Sequence, residues 1–479
     1  MKVPDNLIYS VFQYQDERIR EELVRKTVEI ATGKRVQDIS DDPVATFNIM
    51  TLKTDIARLS QFSRNRLFAD TSLTYIDSTL SKMADRVKML YAKTLQARND
   101  TNSPDSLKAT GELFAKALGF LLGRANERIG ENYVFSGAAL TTKPFTDSFT
   151  YAGSLESFAV QIGESRSVEV FMPGNEVFST NVYQMDTTYP SPSASLGVSG
   201  TMNVTLGNTT TSVDYGRGIW YLTEKVENPD EPLFTYGIDG DLILYDGGMN
   251  EIGRIPDYGR YSLSELVDTV NTTFGSANIT ASLITSPDGT YTVRIEDSDT
   301  NNYVEDTSKK ILESYTPENL TKAFNTLAPA NVRAYLHRIR GSAYTVRLIP
   351  DSVSPSLSVS FSGTPLGNFS TLNLFQVIGE VKDKLLEGVA PDESDVAAVR
   401  RAYDVLTARR AKVGSVLSQV REEESVQENR MNTMLKQKSD AEEVELSESI
   451  MEYTRYRIAY EALMRIVAES RDLTILRYI

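Results

Sequence analysis

The order of helix-like and strand-like stretches along these 479 residues leaves few topologies open. Residues 1 to about 130 carry apolar side chains at mixed three- and four-residue steps, the period of an amphipathic helix; examples are Val3, Leu7 and Val11, then Ile49, Leu52, Ile56 and Leu59. Asn102-Ser103-Pro104-Asp105 interrupts this zone, and a second helix is expected from Ser106 to about Ile129. From about 140 to about 370 the texture becomes short β-type runs between turn residues. Val168 to Phe171 before Pro173-Gly174 is one such run, and Asp241 to Tyr245 before Asp246-Gly247-Gly248 is another. From about 371 the helical texture returns, with no proline after Pro391. Helical ends around a β-rich insertion must meet in space, each supplying half of one bundle. The expected class is therefore α+β and multidomain, with a helical coiled-coil core built from both termini and inserted β-rich outer domains. The boundaries read as 1–140, 141–370 and 371–479, the middle segment holding two domains, the second at about 180–370.

Within the first zone, residues 31–45 mark a sharp corner. Gly33 follows an apolar-periodic run, where a residue free to adopt a left-handed backbone ends a helix. The polar turn Lys34-Arg35 leads on to Ser40, Asp41 or Asp42 as a capping side chain, and Pro43 suits a first helical position. The stretch reads as helix stop, short turn and helix restart.

At the other end, Leu446, Ile450, Tyr453, Arg457, Tyr460, Met464, Val467, Arg471 and Thr474 follow alternating steps of four and three, the spacing of a coiled-coil seam. Two arginines and a threonine suit an isolated pair of helices poorly. Carboxylates such as Asp16, Glu17, Glu21 or Glu22, supplied by neighbouring subunits, would satisfy them. Alternatively the seam is core within one chain and the arginines reach out to water.

A net charge of −15 argues against a nucleic-acid partner or an anionic membrane, which need a basic surface. The absence of cysteine excludes disulfides and thiolate metal sites. The single histidine, His337, is expected as a surface or loop residue of the β-rich region. Charged and polar residues among the first six positions do not match a cleavable secretory signal, and no run is long and apolar enough to span a bilayer.

The words Thr32-Gly33-Lys34-Arg35 and Ser40-Asp41-Asp42-Pro43-Val44-Ala45 resemble the turn between the two N-terminal helices of the flagellin family. Lys34 and Pro43 bring them nearer the family's hook-associated members than its filament subunits, which usually carry leucine and alanine there. Further matches follow in order: Arg124-Ala125-Asn126, Glu131 to Gly137, Pro144-Phe145, Tyr151 to Gly153, Gly163, Pro173-Gly174 and Val177-Phe178. Here Gly130 is expected to end the helix, Tyr133 to Phe135 to form a short strand, and Gly137 to turn the chain. Thr371 to Phe375 and Ala408 to Gly414 resemble the family's returning helix, and Ser439 to Glu443 and the ending Leu476-Arg477-Tyr478-Ile479 its last one. The resemblance covers about 1–180 and 371–479. It implies a non-enzymatic structural protein of the bacterial flagellum, at the junction of hook and filament and serving as the platform on which flagellin polymerises. The partners it implies are copies of itself in a homo-oligomeric ring, the other hook-associated junction protein, flagellin and an export chaperone. It also implies an extracellular place reached by export in the unfolded state. A filament flagellin, or a non-flagellar coiled-coil assembly protein with a β-insert, are the alternatives.

The middle, about 180–370, is larger than the family's usual outer region. In it Tyr261 to Asn271 reads as a short amphipathic helix capped by Ser262 or Ser264. Ile279 to Leu283, Pro287-Asp288-Gly289 and Tyr291 to Ile295 read as a hairpin, and the whole unit resembles a small repeat of flagellar outer domains. The sequence holds no His-Glu-x-x-His, Gly-Lys-Ser/Thr or Gly-x-Gly-x-x-Gly motif, so no catalytic, cofactor or metal residue is expected. Asp239, Asp241, Asp246, Asp297 and Asp299 lack the spacing of a calcium loop and read as turn residues; Glu422-Glu423-Glu424 reads as a solvated helix face.

Overall fold

The structure, a computed structural model, describes residues 5–99, 102–329, 331–353 and 357–475, and for 5–9 and 470–475 the backbone alone. Val3 and the ending Leu476 to Ile479 lie outside the described residues, as do the side chains of Leu7, Arg471 and Thr474. The helices are α1 (Asp5–Thr32), α2 (Pro43–Ala97), α3 (Pro104–Ala125), α4 (Gly174–Val177), α5 (Leu263–Phe274), α6 (Pro317–Leu327), α7 (Leu374–Leu386), α8 (Glu393–Glu442) and α9 (Leu446–Ile475). The first strands are β1 (Arg128–Ile129), β2 (Asn132–Tyr133), β3 (Phe158–Gln161), β4 (Ser167–Phe171), β5 (Ser179–Met185), β6 (Gly200–Leu206), β7 (Thr209–Tyr215), β8 (Ile219–Leu222) and β9 (Leu242–Tyr245). They continue with β10 (Glu251–Ile255), β11 (Ile279–Thr285), β12 (Tyr291–Asp297), β13 (Tyr303–Asp306), β14 (Ile311–Glu313), β15 (Val332–Arg338), β16 (Tyr344–Pro350), β17 (Leu357–Gly363) and β18 (Phe369–Asn373). The chain divides into two units, residues 1–70, 160–168 and 418–479 in one, and 71–159 and 169–417 in the other.

In the second unit a helical bundle draws on both halves of the chain. Along α2, Leu73, Ile76, Leu80, Met83, Val87 and Leu90 are fully buried at alternating three- and four-residue steps. Ser103 caps α3 by accepting from the Ser106 amide at 3.2 Å, and Pro104 takes the first turn. Leu107, Phe114, Leu118 and Leu121 then form its buried stripe. α3 lies against α7 so closely that a Cβ on Gly111 would stand 2.9 Å from the Leu386 amide nitrogen. Asp77 on α2 holds Arg410 on α8 at 2.9 Å.

Two expected boundaries move. The helix expected to reach Ile129 stops at Ala125, because the Asn126 side chain accepts from the Phe145 amide at 2.9 Å and donates to its carbonyl at 3.1 Å, which pulls the chain off the helical path. Arg128–Ile129 then pairs with Asn132–Tyr133, so Gly130, at φ 61°, turns a hairpin instead of ending a helix. Thr371 to Asn373, expected in the returning helix, complete β18; Asn373 caps α7 reciprocally with Gln376.

The inserted region contains one unit twice. α5, β11 and β12 are followed by α6, β15 and β16, helix then antiparallel hairpin in both. Asn271 clasps the Ala281 backbone through both its amide atoms, at 2.6 and 3.0 Å, and Asn325 does the same to Ala334 at 2.7 and 2.8 Å. Tyr291-Thr292-Val293-Arg294 and Tyr344-Thr345-Val346-Arg347 occupy matching strand positions. Of the two caps considered for α5, Ser262 is the one, in a capping box with Glu265. The second copy was not anticipated from the sequence.

Each copy anchors a core. Sheets β17-β6-β7 and β15-β16-β5-β18 with α6 enclose Met202, Val213, Tyr215, Phe324 and Leu348. Sheets β11-β12-β8-β14 and β10-β9-β13 with α5 enclose Trp220, Leu244, Leu266, Val270 and Ile295. Trp220 is the chain's one tryptophan. A fragment of residues 216–316 retains both sheets of this second core together with α5 and is expected to unfold cooperatively, with blue-shifted tryptophan emission in buffer. Emission already red-shifted in buffer would show that this core does not stand alone.

Candidate functional site

The corner at 31–45 belongs to the first unit, where it is tied to the end of α8. Gly33 takes φ 69° and its amide donates to Glu29 O at 2.8 Å, a left-handed helix ending. The chain then runs one residue antiparallel to Glu443: the Arg35 amide donates to Glu442 O at 2.9 Å and the Val444 amide to Gly33 O at 3.0 Å. The Arg35 guanidinium adds a bond to Ala441 O and reaches Asp42 at 3.5 Å. Among the capping candidates the structure selects Asp42, whose Oδ1 accepts from the Ala45 amide at 2.9 Å with Pro43 next. Asp41 instead folds the turn by accepting from the amides of Gln37 and Asp38. Ser40 is exposed.

Glu442 is the electrostatic centre of this corner. Its buried carboxylate receives Lys34 at 2.8 Å, Lys53 at 3.2 Å and Lys438 at 3.4 Å. The hydrogen bond from Lys34 leads in holding its carboxyl down at about 2, followed by that from Lys53. One carboxylate thereby joins the turn, α2 and the last turn of α8.

α1 and α9 pack along their length. The covered stripe of α9 runs through Ser449, Tyr453, Tyr456, Tyr460, Leu463 and Val467, and that of α1 through Phe12, Ile19, Leu23, Lys26 and Ile30. Its polar contacts are Ser449 Oγ to Glu29 at 3.2 Å, Lys26 to Glu452 at 2.7 Å, and the Arg20 guanidinium 5.5 Å from the Tyr460 ring centre. Of the seam positions read from the sequence, Tyr453, Tyr460 and Val467 lie half-buried in this stripe. Leu446, Ile450, Arg457 and Met464 are exposed, and the side chain of Arg471 is outside the description. Of the four carboxylates considered for the arginines, two are engaged along α1, Asp16 with Arg20 at 3.1 Å and Glu22 with Arg25 at 2.6 Å, and Glu17 and Glu21 are exposed. Among the described residues, the one carboxylate within ion-pair distance of Arg457 is Glu461, at 4.0 Å.

One copy of the chain leaves much apolar surface in this unit uncovered. Val11, Tyr14 and Val24 on α1, Val44, Phe47 and Met50 on α2, and Ile450, Met451, Ile458 and Ile466 on α9 are all at least half exposed, Phe47 by 72%.

The second unit holds a buried ionic cluster that the sequence reading missed. His337 is not a surface or loop residue: it lies on β15, fully buried. Around it stand Arg347 from β16, Glu380 and Lys384 from α7, and Asp392, Ser394 and Asp395 at the start of α8. His337 Nδ1 is 2.7 Å from Ser394 Oγ and Nε2 is 3.5 Å from Glu380. Arg347 bonds Glu380, and its Nε donates to Gln184 at 2.6 Å. Lys384 donates to Asp392 at 2.7 Å and Asp395 at 2.6 Å, while those two aspartates cap α8 reciprocally. Burial, helped by the Arg347 charge, pushes the imidazole down to about 4. Burial likewise lowers Arg347 to about 10. Burial would raise Asp392, but the His337 hydrogen bond and the Lys384 charge outweigh it and hold the carboxyl well below its usual range. His337, Asp392 and Asp395 could face a metal ion together, yet the Lys384 ammonium already fills the cation's place between the carboxylates. In the acidic loops, Asp246 accepts from the Gly248 and Asn250 amides, and Asp297 from those of Asp299 and Asn302, as turn aspartates do.

Residues 5–139 match the family described as bacterial flagellin N-terminal helical region. Flagellar hook-associated protein 3 of Escherichia coli K12 is 30% identical over 154 residues, covering 32% of this chain and 49% of that protein. The protein of the same name from Salmonella typhimurium is 27% identical over the same length, with the same coverage. The chain thus spans about half the length of the curated relatives it matches. The crystal structure of a flagellar hook-associated protein 3 from Legionella pneumophila aligns over 81% of this chain and 97% of that one, at 16% identity and a TM-score of 0.40.

Two expected outcomes follow from this geometry. Replacing Glu442 with Gln removes the charge that three lysines share; because Lys34 and Lys53 are half exposed, the cost is about 1–2 kcal/mol. Amide exchange across 31–45 and 436–446 should speed up about tenfold, and unchanged rates would show that the backbone bridge alone holds the corner. For His337, the unfolded chain takes up a proton near its ordinary value of 6.5 and the folded chain only near 4. Stability is therefore full above 6.5 and falls as pH drops to 4, by about 3 kcal/mol. Urea unfolding of His337→Asn should lose that slope between pH 6.5 and 4; Asp392 acts only below its ordinary 3.8.

Proposed function

We propose that this chain is a structural, non-enzymatic subunit of the bacterial flagellum, placed where hook meets filament. The observation that carries the reading is the apolar surface left open on α1, α2 and α9 in the same unit as the corner. Covering the exposed part of side chains such as Phe47 and Ile450 gains about 1–2 kcal/mol each, so stacking many copies is favourable. The match of residues 5–139 to a flagellin helical region and the partial likeness to two hook-associated proteins 3 support the same reading.

In this reading the subunits form a ring. Gly33, Lys34, Arg35, Asp41, Asp42 and Pro43 keep the corner rigid, with Glu442 as its anchor. Leu446, Ile450, Arg457 and Met464 face a neighbouring copy, while Tyr453, Tyr460 and Val467 hold α9 to its own α1. The ring would contact the other hook-associated junction protein on one side and flagellin on the other. Before assembly the chain would pass to the cell exterior unfolded, accompanied by an export chaperone.

The test is a deletion strain viewed by electron microscopy and complemented with variants. Hooks without filaments, with flagellin shed into the medium, are expected on deletion; bare hooks with no flagellin in the medium would instead make this chain the filament subunit. Ile450→Asp changes a half-exposed position, so the isolated chain should keep its stability within about 0.5 kcal/mol while filaments fail to form. Normal filaments from Ile450→Asp would overturn the assigned contact face.

A further inference from the structure

A cavity of about 420 Å³ in the second unit is lined by Tyr91 from α2 and Arg98 just past its end, Arg333 and Tyr335 from β15, Ile349 to Asp351 at the end of β16, and Glu393, Arg400, Arg401 and Asp404 from α8. Four arginines from three parts of the chain therefore border one space, Arg98, Arg333 and Arg400 exposed and Arg401 buried. Arg401 is the unusual one. It is 3% exposed, and its terminal nitrogens donate to the carbonyls of Asp351 (3.2 Å) and Ser352, yet its buried Nε has no hydrogen-bond partner. No carboxylate lies within ion-pair distance of Arg401 or of the exposed Arg333 among the described residues. Arg98 and Arg400 keep only long pairs, each at 3.9 Å, to Glu393 and Asp404.

A buried cation lacking a close counter-ion is costly unless something supplies one. A carboxylate matches the fork of a guanidinium with two parallel hydrogen bonds, and the unpartnered Nε is a donor of that fork. Four arginines against Asp351, Glu393 and Asp404 leave one positive charge, which suits a single monoanionic head over a dianion. The volume exceeds what a bare carboxylate fills and falls in the range of small-molecule sites. Tyr91 and Tyr335 line the same space, where an aromatic ring can pack on the body of such a molecule, and the three carboxylates can accept from its hydroxyls.

We infer that this cavity binds a small sugar acid, its carboxylate on Arg401 and Arg333 and its hydroxyl-bearing ring between Tyr91 and Tyr335. The site is independent of the assembly faces, so the inference stands or falls without the flagellar reading.

The experiment is calorimetric titration of the full chain with glucuronate, glucose, acetate and glucose 6-phosphate. Saturable binding of glucuronate is expected at a Kd of about 1 mM or tighter, with weaker acetate and no detectable glucose binding. Arg333→Gln, at an exposed position, should weaken glucuronate at least about tenfold, as loss of a charge-assisted pair does. Arg401→Gln should abolish binding; if that variant does not fold, Tyr335→Ala supplies the second measurement, with at least about fivefold weakening from the lost ring face. Arg260→Gln, outside the cavity, should leave affinity unchanged. The inference is overturned by the absence of saturable glucuronate binding, by glucose binding equally well or by glucose 6-phosphate binding more tightly. It is equally overturned if Arg333→Gln and the second variant leave glucuronate affinity intact.

Discussion

The constraint on which this structure depends is that its N-terminal helices have no complete core until the chain has come back. The buried row from Leu73 to Leu90 belongs to a bundle whose other members include α7 and α8, about three hundred residues further on. The approach of α3 to α7 is close enough that Gly111 cannot carry a side chain without displacing Leu386. Closing a loop of that length costs little more than closing a shorter one, about 0.6 kcal/mol for each doubling. A bundle made from both ends can therefore accept a large insertion between its halves. The same arithmetic accommodates an insert that carries its helix–hairpin unit twice.

What attaches the insert to α7 and α8 is partly polar, and that has consequences. The cluster of His337, Arg347, Glu380, Lys384, Asp392 and Asp395 joins the second helix–hairpin unit to both helices at the point where the chain passes from one to the other. An apolar contact tolerates sliding; a ring of charge-assisted bonds fixes one register, since each missing partner strands a buried charge. Arg347 stands at the position of Arg294 in the first helix–hairpin copy, which pairs with Asp214 and Glu296 nearer the surface. One repeated tetrapeptide thus serves two environments, and only the copy beside α7 and α8 became a latch.

The sequence was most legible where physics is local. The corner, its restart at Pro43 and the helical ends around a β-rich middle follow from spacing and turn chemistry alone, as does the hairpin after α5. Which of Ser40, Asp41 and Asp42 caps α2 did not follow, because all three can accept an amide and only the turn's path decides. His337 was misread for a related reason: a single histidine has no sequence neighbours to pair with, and its partners come from α7 and α8 after folding. The motif words around Phe135, Phe145, Gly174, Phe178 and Phe375 were visible one by one. Their common purpose was not, for the four rings meet edge to face or tilted at 4.8–5.6 Å and leave no space for a Cβ on Gly174, 2.7 Å from the Phe145 ring. The second helix–hairpin unit was missed because its matching residues, Asn325, Ala334 and Tyr344 to Arg347, are scattered between segments that share little else.

The corner illustrates how a chain can be settled within itself and still unsatisfied outside. Around Glu442 every strong group is paired: the carboxylate has its lysines, the backbone of Gly33 and Arg35 is bonded to 442–444, and Asp42 has its amide. Along α1 and α9 the charged groups that approach the shared stripe are paired as well, Lys26 with Glu452 and Asp16 with Arg20. Left open beside them are large apolar side chains, Phe47, Met50, Ile450 and Ile458 among them. Polar contacts are directional and costly to break, so placing them inside the subunit preserves its shape, while apolar faces adapt to whichever neighbour covers them. In the proposed ring, that division would let stability and association be altered separately, the first through Glu442 and the second through Ile450.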